Sequence, residues 1–250
     1  MNAAFVLQQG EARRFDVKLY RPLGELGRLG VGVGVIARSS PYRGYNGGVY
    51  QAIPAVTYVG SRLLIYGPYI QLGLIGSGKL RLAATGQYRI GAYEEDGSDY
   101  LRGMGDRKST FMLGLALQSE LPGGVGLSAG YDYDIQDKIG GGEAQLSLNK
   151  SFQFGVVSLT PNLALNWLST ELSNHDYGVP LSQATPARPS YVLSDTISVE
   201  GGLGVSVEVT RDWLVAMSAN VEWLGDDVTN SPIVSDDYVV KGFAAINYIF

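Results

Sequence analysis

The sequence predicts an all-β protein, a transmembrane antiparallel up-and-down β-barrel, and three observations support this prediction. Segments of about ten residues alternate apolar and polar side chains with a period of two, as strands with one apolar face do. Charged residues make up 17% of the chain, against about 25% in an average soluble domain. The polar faces carry Gly, Ser, Asn and Ala rather than Lys and Glu, which is typical of a crowded barrel lumen.

Composition excludes several other classes of protein. The formal net charge is −5, whereas nucleic-acid-binding proteins usually carry a basic patch. No stretch reaches the roughly 18 uninterrupted apolar residues that a spanning helix needs. The chain has no cysteine, which fits an exported bacterial protein without proving export. The first twenty residues lack a basic region followed by a long apolar region and so do not form a complete signal peptide.

Twelve strands are predicted over residues 1–250, which we treat as one domain, and ten is the alternative even count. Residues 1–12 are expected to be disordered or to form a periplasmic extension. The weakest strand candidate is "RFDVKLY", with Phe15, Val17 and Leu19 on one face. The other strands are predicted near Leu29, Tyr50 and Leu64, over 80–90, near Phe111, Val125 and Ala144, over 157–167, 199–209 and 213–223, and near Val240.

The segment "WLVAMSANVEW" at 213–223 shows how the pattern separates a membrane barrel from a soluble sandwich. Its odd positions are mainly large and apolar, and tryptophans occupy both ends. A sandwich would place the apolar face inward and a charged face outward. Aromatic strand ends instead indicate the interfacial girdle of a membrane barrel. The predicted girdle residues are Trp167, Trp213, Trp223, Tyr248 and Phe250.

The last ten residues, "KGFAAINYIF", form the predicted closing strand. Gly242, Ala244, Ile246, Tyr248 and Phe250 share its apolar face, which we expect to contact lipid. A terminal aromatic residue after alternating apolar residues resembles the signal by which bacterial outer-membrane barrels are recognised for insertion. The predicted location is therefore the outer membrane of a Gram-negative bacterium, with membrane lipid and lipopolysaccharide as surroundings.

Loop lengths predict the topology, because such barrels place both chain ends and the short turns in the periplasm. The predicted outside loops are 93–108, 135–142, 169–196 and 225–237, and the predicted periplasmic turns are 121–124, 151–155 and 210–212. If "RFDVKLY" is a strand, residues 38–48 form a long periplasmic loop, and Tyr42, Arg43 and Tyr45 are candidate partner-binding residues. If it is not a strand, that loop faces outside and only eleven strands are counted. We prefer twelve.

Ionisable residues on the polar faces are predicted to lie in the lumen. Unpaired charges in a narrow barrel are costly, so pairing across a plugged lumen is the structural expectation. The functional alternative is a small polar pore whose charges select solutes. The candidates are Lys79, Arg81, Arg89, Glu120, Asp132, Glu200, Glu208 and Glu222, together with Asp134 and Glu143.

No catalytic, cofactor or metal site is predicted. "GLIGSGKL" at 73–80 lacks the Ser or Thr and the following helix that a phosphate-binding loop requires. His175 is the only histidine and lies in a polar loop, and "EEDGSD" at 94–99 lacks the ligand spacing of an EF-hand. We therefore expect a protein that is not an enzyme.

Several short motifs in order, "LGVGVGV" (29–35), "SPYRGY" (40–45), "LRGMGD" (101–106), "SPIV" (231–234) and the final "YIF", resemble the MipA/OmpV family over roughly Gly27 to Phe250. The resemblance implies an outer-membrane barrel. For the namesake it implies a scaffold that holds a murein-cleaving lytic transglycosylase together with a murein synthase. The family has no catalytic motif to transfer, and its acidic residues after the first strand's proline are replaced here by "YRGYNGG". A narrow solute channel, or a surface adhesin using loops 93–108 and 169–196, is the alternative.

Overall fold

A computed structural model describes residues 27–45, 48–60, 62–77 and 80–250. The predicted strand "RFDVKLY" and Lys79 lie outside these residues. No helix in the described ranges has the length and apolar character needed to cross a membrane. The strands are β1 (Arg28–Ser39), β2 (Gly48–Val59), β3 (Leu63–Tyr66), β4 (Tyr69–Ser77), β5 (Leu80–Arg89), β6 (Thr110–Leu121), β7 (Val125–Asp134), β8 (Gly142–Asn149), β9 (Phe152–Phe154), β10 (Val157–Leu168), β11 (Thr196–Glu208), β12 (Trp213–Leu224) and β13 (Tyr238–Ile249), and the helices are α1 (Thr170–Tyr177) and α2 (Asp226–Thr229).

The strands close into an antiparallel barrel in which neighbours in sequence are neighbours in space. The barrel closes where β1 pairs with β13, from Gly30 opposite Ile249 to Arg38 opposite Lys241. Twelve strands form the ring, while the short β9 pairs only with the start of β10. The predicted twelve-stranded barrel is confirmed.

The strand near Leu64 was predicted as one segment, but the structure divides it into β3 and β4. Gly67 and Pro68 form the two-residue turn between them, and Gly67 has φ of 53°. A glycine at the first central position is typical of the type II′ turn of a hairpin. Because β3 and β4 are two strands, the ring has twelve strands with β1 as the first of them.

The extra strand also corrects the predicted position of the loop between β1 and β2. Tyr42 in this loop forms an isolated bridge with Val234 in the loop after β12. The Tyr42 hydroxyl donates to the backbone carbonyl of Asp176, at 3.2 Å. The loop therefore lies at the same end as the long loops, and its prediction as a periplasmic loop was wrong because one strand after it was missed.

Side chains alternate between the outer surface of the barrel and its lumen, as the sequence pattern predicts. On β1 Val33 is 67% exposed, and on β13 Ile246 is 43% exposed, as expected for side chains that face lipid. The intervening Ala245 and Asn247 on β13 are buried in the lumen. The apolar face of the last strand is thus on the outside of the barrel.

The closing seam depends on close backbone approach at Gly32. A Cβ atom there would lie 1.8 Å from the carbonyl oxygen of Ile246, so a larger residue must push β1 and β13 apart. We expect Gly32→Val to lower the free energy of unfolding by about 1–3 kcal/mol, as overpacking does. Urea unfolding of the refolded barrel in vesicles measures this change. Gly73→Ala is the control, because its Cβ would meet its nearest atom at an ordinary 3.5 Å, and equal losses in the two variants would contradict the close approach.

Candidate functional site

The loop end of the barrel is closed by a packed cap that we call the loop cap, made of residues 40–45, 91–109, 169–195 and 225–237. Its core is apolar and fully buried at Leu101, Val179 and Ile233. The Tyr42 ring meets the Tyr93 ring edge-on, with 4.6 Å between centroids. Burial raises the pKa of Tyr93 to about 12, so this phenol stays protonated and packs as an aromatic ring.

Charged side chains satisfy backbone groups within the loop cap. Arg188 is only 5% exposed, and its guanidinium donates to the carbonyls of Gln183 at 2.8 Å and Arg102 at 3.3 Å. The Glu95 carboxylate accepts from the backbone N–H groups of Gly103 and Gly105, both at 2.9 Å. The long loops are therefore ordered by their own contacts.

Helix α1 ties the loop cap to the barrel wall through Asp176. Arg89, the last residue of β5, donates to Asp176 at 2.7 Å and to Glu143 on β8 at 3.1 Å. His175 Nδ1 lies 2.9 Å from Asp176 Oδ1, and its Nε2 accepts from the backbone N–H of Lys108. Burial alone would raise the pKa of Asp176, but the Arg89 charge and the hydrogen bonds from His175 and Arg89 hold this pKa well below its usual 3.8.

A second group of charges, which we call the Lys241 cluster, lies inside the wall formed by β11, β12 and β13. Lys241 Nζ lies 2.8 Å from Glu200 Oε2 and 2.7 Å from Glu222 Oε2. The Ser198 hydroxyl and, at 3.3 Å, the Asn166 amide donate to the other oxygen of Glu222. Glu200 is fully buried, and no described residue donates to its Oε1.

Polar contacts also cross the lumen from β5. The Thr85 hydroxyl donates to Asp132 on β7. The Gln87 amide donates to Glu143 at 2.6 Å and to Asp132 at 3.4 Å. These bonds join side chains of non-adjacent strands and brace the lumen beneath the loop cap.

Beneath the loop cap lies a chamber of about 280 Å³, partly open at its edge. Its charged lining has five carboxylates and three cationic side chains among the described residues, so the chamber carries an excess of negative charge. The carboxylates are Asp132, Glu143, Asp176, Glu200 and Glu222, and the cations are Arg38, Arg89 and Lys241.

The structure gathers half of the predicted lumen charges in this chamber and places others at the opposite end. Five of the ten predicted charges line the chamber, namely Arg89, Asp132, Glu143, Glu200 and Glu222. Arg81 pairs in register with Gln118 toward the turn end of the barrel. Glu120 and Glu208 are exposed, and Glu208 borders a smaller cavity of about 80 Å³.

Sequence reasoning missed three charged residues of the chamber, Arg38, Asp176 and Lys241. Lys241 stood on the mixed face of the predicted closing strand, so alternation alone could have placed it in the lumen. Asp176 lies in a loop helix, where the two-residue alternation of a strand cannot show which way its side chain points. Its role depends on how α1 packs against the barrel.

The predicted girdle residues lie at both ends of the outer surface. At the turn end, the ring centroid of Tyr248 lies 5.3 Å from Trp213 and 5.0 Å from Phe250. At the loop end, Trp223 is opposite Tyr238 in register, and Trp167 lies 6.3 Å from Tyr131. This placement matches two belts at the edges of the membrane-facing wall, and the girdle assignment itself stays a prediction.

The candidate partner residues Tyr42, Arg43 and Tyr45 belong to the loop cap. Tyr42 is 2% exposed, Arg43 donates to the Val234 carbonyl at 3.3 Å, and Tyr45 packs against the apolar core of the cap. All three share an end with His175, because residues 40–45 and α1 pack together. A partner at the opposite, turn end of the barrel therefore cannot meet them.

The chain is similar to a known protein family and to several outer-membrane proteins. The family described as "MltA-interacting protein MipA" matches residues 31–250. The MltA-interacting protein of Escherichia coli K12 is 29% identical over 231 residues, which are 89% of this chain and 89% of that protein. Outer membrane protein Omp26La of Vibrio anguillarum is 29% identical over 60% of this chain, and the match spans 59% of its own length.

The chain is also similar to a second Vibrio protein and to a solved outer-membrane structure. Outer membrane protein OmpV of Vibrio cholerae is 28% identical over 57% of this chain and 55% of its own. Among solved structures, an outer membrane channel from Pseudomonas putida F1 is 12% identical, covers 94% of this chain and 99% of its own, and has a TM-score of 0.46.

Proposed function

Because the chain belongs to the MipA family, we propose that it is a non-enzymatic scaffold that holds murein-processing enzymes at the outer membrane. The chain is an outer-membrane β-barrel of a Gram-negative bacterium. The observation that carries the proposal is its similarity to an MltA-interacting protein along 89% of both chains. The closed loop cap and the braced lumen support it, because a scaffold needs a rigid barrel rather than an open pore.

The scaffold surface is proposed to lie at the turn end, which faces the periplasm in barrels of this kind. The most prominent element described there is the β9 hairpin at 150–156. Phe154 at its tip is 61% exposed, and Lys150 lies 5.1 Å from the Phe152 ring centroid. Exposed aromatic residues next to a cation are typical of protein interfaces.

Photo-crosslinking in cells tests this proposal. A photoreactive residue at Gln153, in the β9 hairpin, should capture a murein hydrolase or a murein synthase. The same residue at Leu181, which is 82% exposed in the loop cap, is the matched control and should capture neither. Capture of these enzymes at Leu181 but not at Gln153 would overturn the proposed orientation, and capture at neither site would count against the scaffold.

A narrow channel for small polar solutes is the second candidate, and the acidic chamber favours it. Conduction through the loop end would require the loop cap to open, because its apolar core is fully buried. We therefore expect the wild-type barrel to be closed in planar bilayers most of the time. Frequent openings in the wild-type barrel, with preference for cations, would favour the channel over the scaffold.

A further inference from the structure

Among the described strands, β2 has an edge without a partner in the loop-end half of the barrel, which we call its free edge. It pairs with β1 along its whole length, from Gly48 to Val59, but with β3 only at Thr57–Val59. The last contact on that side is the N–H of Gly67 donating to the Val56 carbonyl at 2.9 Å. Residues 48–55 therefore expose about 26 Å of strand, at about 3.3 Å per residue, to which no other described strand pairs.

The free edge arises because the β3–β4 hairpin is shorter than its neighbours. It turns at Gly67–Pro68, whereas β5 and β6 remain paired up to Arg89 and Thr110. The N–H of Tyr88 donates to the Pro68 carbonyl at 3.1 Å, which marks the top of the hairpin against β5. Above the hairpin, no described strand fills the wall between β2 and β5.

Loop contacts close the upper border of this gap. Arg38 donates to the carbonyl of Ala92, and the Ser98 hydroxyl donates to the Arg43 carbonyl at 2.7 Å. The gap is thus bordered by β2, the Gly67–Pro68 turn, β5 and the loop cap. We call it the side window.

The sequence of β2 is consistent with a free edge at this position. The Val56 carbonyl points toward the β3 side, so Pro54, two residues earlier, presents its backbone to the same side. Proline has no N–H and is confined to edges of sheets, where it discourages pairing. Unpaired strand edges are not tolerated against hydrocarbon unless they line a cavity, so the side window must border a ligand-accessible or hydrated space.

The side window opens on the apolar side of the chamber. Ile53, Pro68 and Ile90 at its border line the chamber. Behind them Tyr66 and Phe243 also line it, with ring centroids 5.4 Å apart. The charged side begins two residues from Phe243 along β13, at Lys241, so apolar and charged walls meet inside one cavity.

We propose that the chamber binds a single-chain amphiphile with a cationic amine head group, which enters from the outer leaflet through the side window. The apolar chain packs on Ile53, Tyr66 and Phe243, and the amine donates to Glu200 Oε1. The cavity of about 280 Å³ is near the lower end of the roughly 300–1,000 Å³ of ordinary ligand sites. This site is independent of the scaffold role.

Charge and hydrogen bonding select the amine over other head groups. The buried Oε1 of Glu200 has no donor among the described residues, and leaving such an acceptor unsatisfied is costly. An ammonium group carries three donors and a positive charge, which complements a lining with more carboxylates than cations. A carboxylate or phosphate head would add to the negative charge.

The first experiment tests the side window and uses the absence of cysteine in the chain. Single cysteines at Ile53, Val33 and Ala164 are labelled with bimane, and each refolded barrel is placed in vesicles containing brominated phospholipid. Val33 is exposed on the outer surface, and Ala164 is buried in the lumen on β10, a strand that does not border the window. We expect bimane at Ile53 to be quenched at least half as strongly as at Val33, and quenching no greater than at Ala164 would overturn the window.

The second experiment tests the ligand. Binding of dodecylamine, dodecanol and dodecanoate to the full chain in an uncharged detergent is measured by titration calorimetry. Dodecylamine should bind at least tenfold more tightly than the other two, and Glu200→Gln should weaken it at least tenfold. Glu208→Gln, at the opposite end, should bind as the wild type does. Equal binding of the three amphiphiles, or an unchanged affinity in Glu200→Gln, would overturn the proposal.

A second variant protects this test against a folding defect in Glu200→Gln. Ile53→Trp leaves the Lys241 cluster intact and fills the border of the side window. Heat-modifiable gel mobility shows whether each variant is folded. Ile53→Trp should also weaken dodecylamine binding at least tenfold, and wild-type affinity in a folded Ile53→Trp barrel would overturn the entry route.

Discussion

Lys241→Met is expected to lower the free energy of unfolding by about 3–5 kcal/mol, the cost of leaving a buried charge without its partner. Lys241 is the only described cation within 4.0 Å of Glu200 or Glu222. Methionine has nearly the same length but neither charge nor donor, so it would leave the buried carboxylate of Glu200 facing the partly buried carboxylate of Glu222. The loss therefore comes from desolvated negative charge rather than from a cavity.

Urea unfolding of the barrel in phospholipid vesicles, followed by tryptophan fluorescence, measures this loss. Lys138→Met is the control, because Lys138 is exposed at the rim, and it should change stability by no more than about 0.5 kcal/mol. The triple variant Lys241→Met, Glu200→Gln and Glu222→Gln should recover most of the loss, because it removes the stranded charges. A Lys241→Met barrel as stable as the Lys138→Met barrel would show that the cluster is not held by charge pairing.

Alternation predicted the later strands well because one face of each strand lies on the outer surface of the barrel and the other lies in the lumen. The predicted strands over 199–209 and 213–223 correspond to Thr196–Glu208 and Trp213–Leu224. A shift of one residue would turn every side chain of a strand to the wrong face, so the pattern is strict wherever both environments are present.

The first half of the barrel was harder to predict for a physical reason. In "LLIYGPYIQLGLIGS" apolar residues occupy both parities, so alternation does not mark where β3 ends. The Gly-Pro dipeptide is a turn signal, and giving it more weight would have divided the segment correctly. That one missed turn reversed the predicted direction of the loop carrying Tyr42.

The charge partners of the lumen could not be read from the sequence at all. Lys241 and Glu200 are 41 residues apart, and Arg89 and Asp176 are 87 residues apart. The pattern shows which face carries a charge, but the barrel closure and the packing of α1 decide which charges meet. The loop cap is likewise a tertiary structure of several loops, each without a regular period.

Arg89→Met is expected to release the loop cap from the barrel wall. Arg89 bonds both Asp176 and Glu143, and its loss leaves the buried Asp176 carboxylate with His175 as its remaining side-chain partner among the described residues. We expect local opening of residues 169–177 to become easier by about 3 kcal/mol, which is roughly a 100-fold increase in hydrogen exchange. Exchange followed by mass spectrometry measures this change peptide by peptide, and peptides of β11 serve as the internal reference.

Acid should produce the same release, and the sign follows from the depressed pKa of Asp176. A carboxyl whose pKa is lower in the folded state than its usual 3.8 stabilises the fold above that value. This stabilisation is lost as pH falls from about 4 through the folded pKa. Hydrogen exchange in 169–177, corrected for its intrinsic pH dependence, should therefore accelerate below about pH 4 while exchange in β11 changes less.

Asp176→Asn separates this explanation from general acid unfolding. The amide keeps the shape of the carboxyl but cannot ionise. In this variant we expect hydrogen exchange in 169–177 to be fast already at neutral pH, and we expect no further acceleration of this exchange between about pH 4 and pH 2. Arg89→Met should likewise show a smaller acid response, because the charge that lowers the pKa of Asp176 is gone. If both variants retain the wild-type acid response, another group controls the loop cap, and the Arg89–Asp176 pair does not hold it closed.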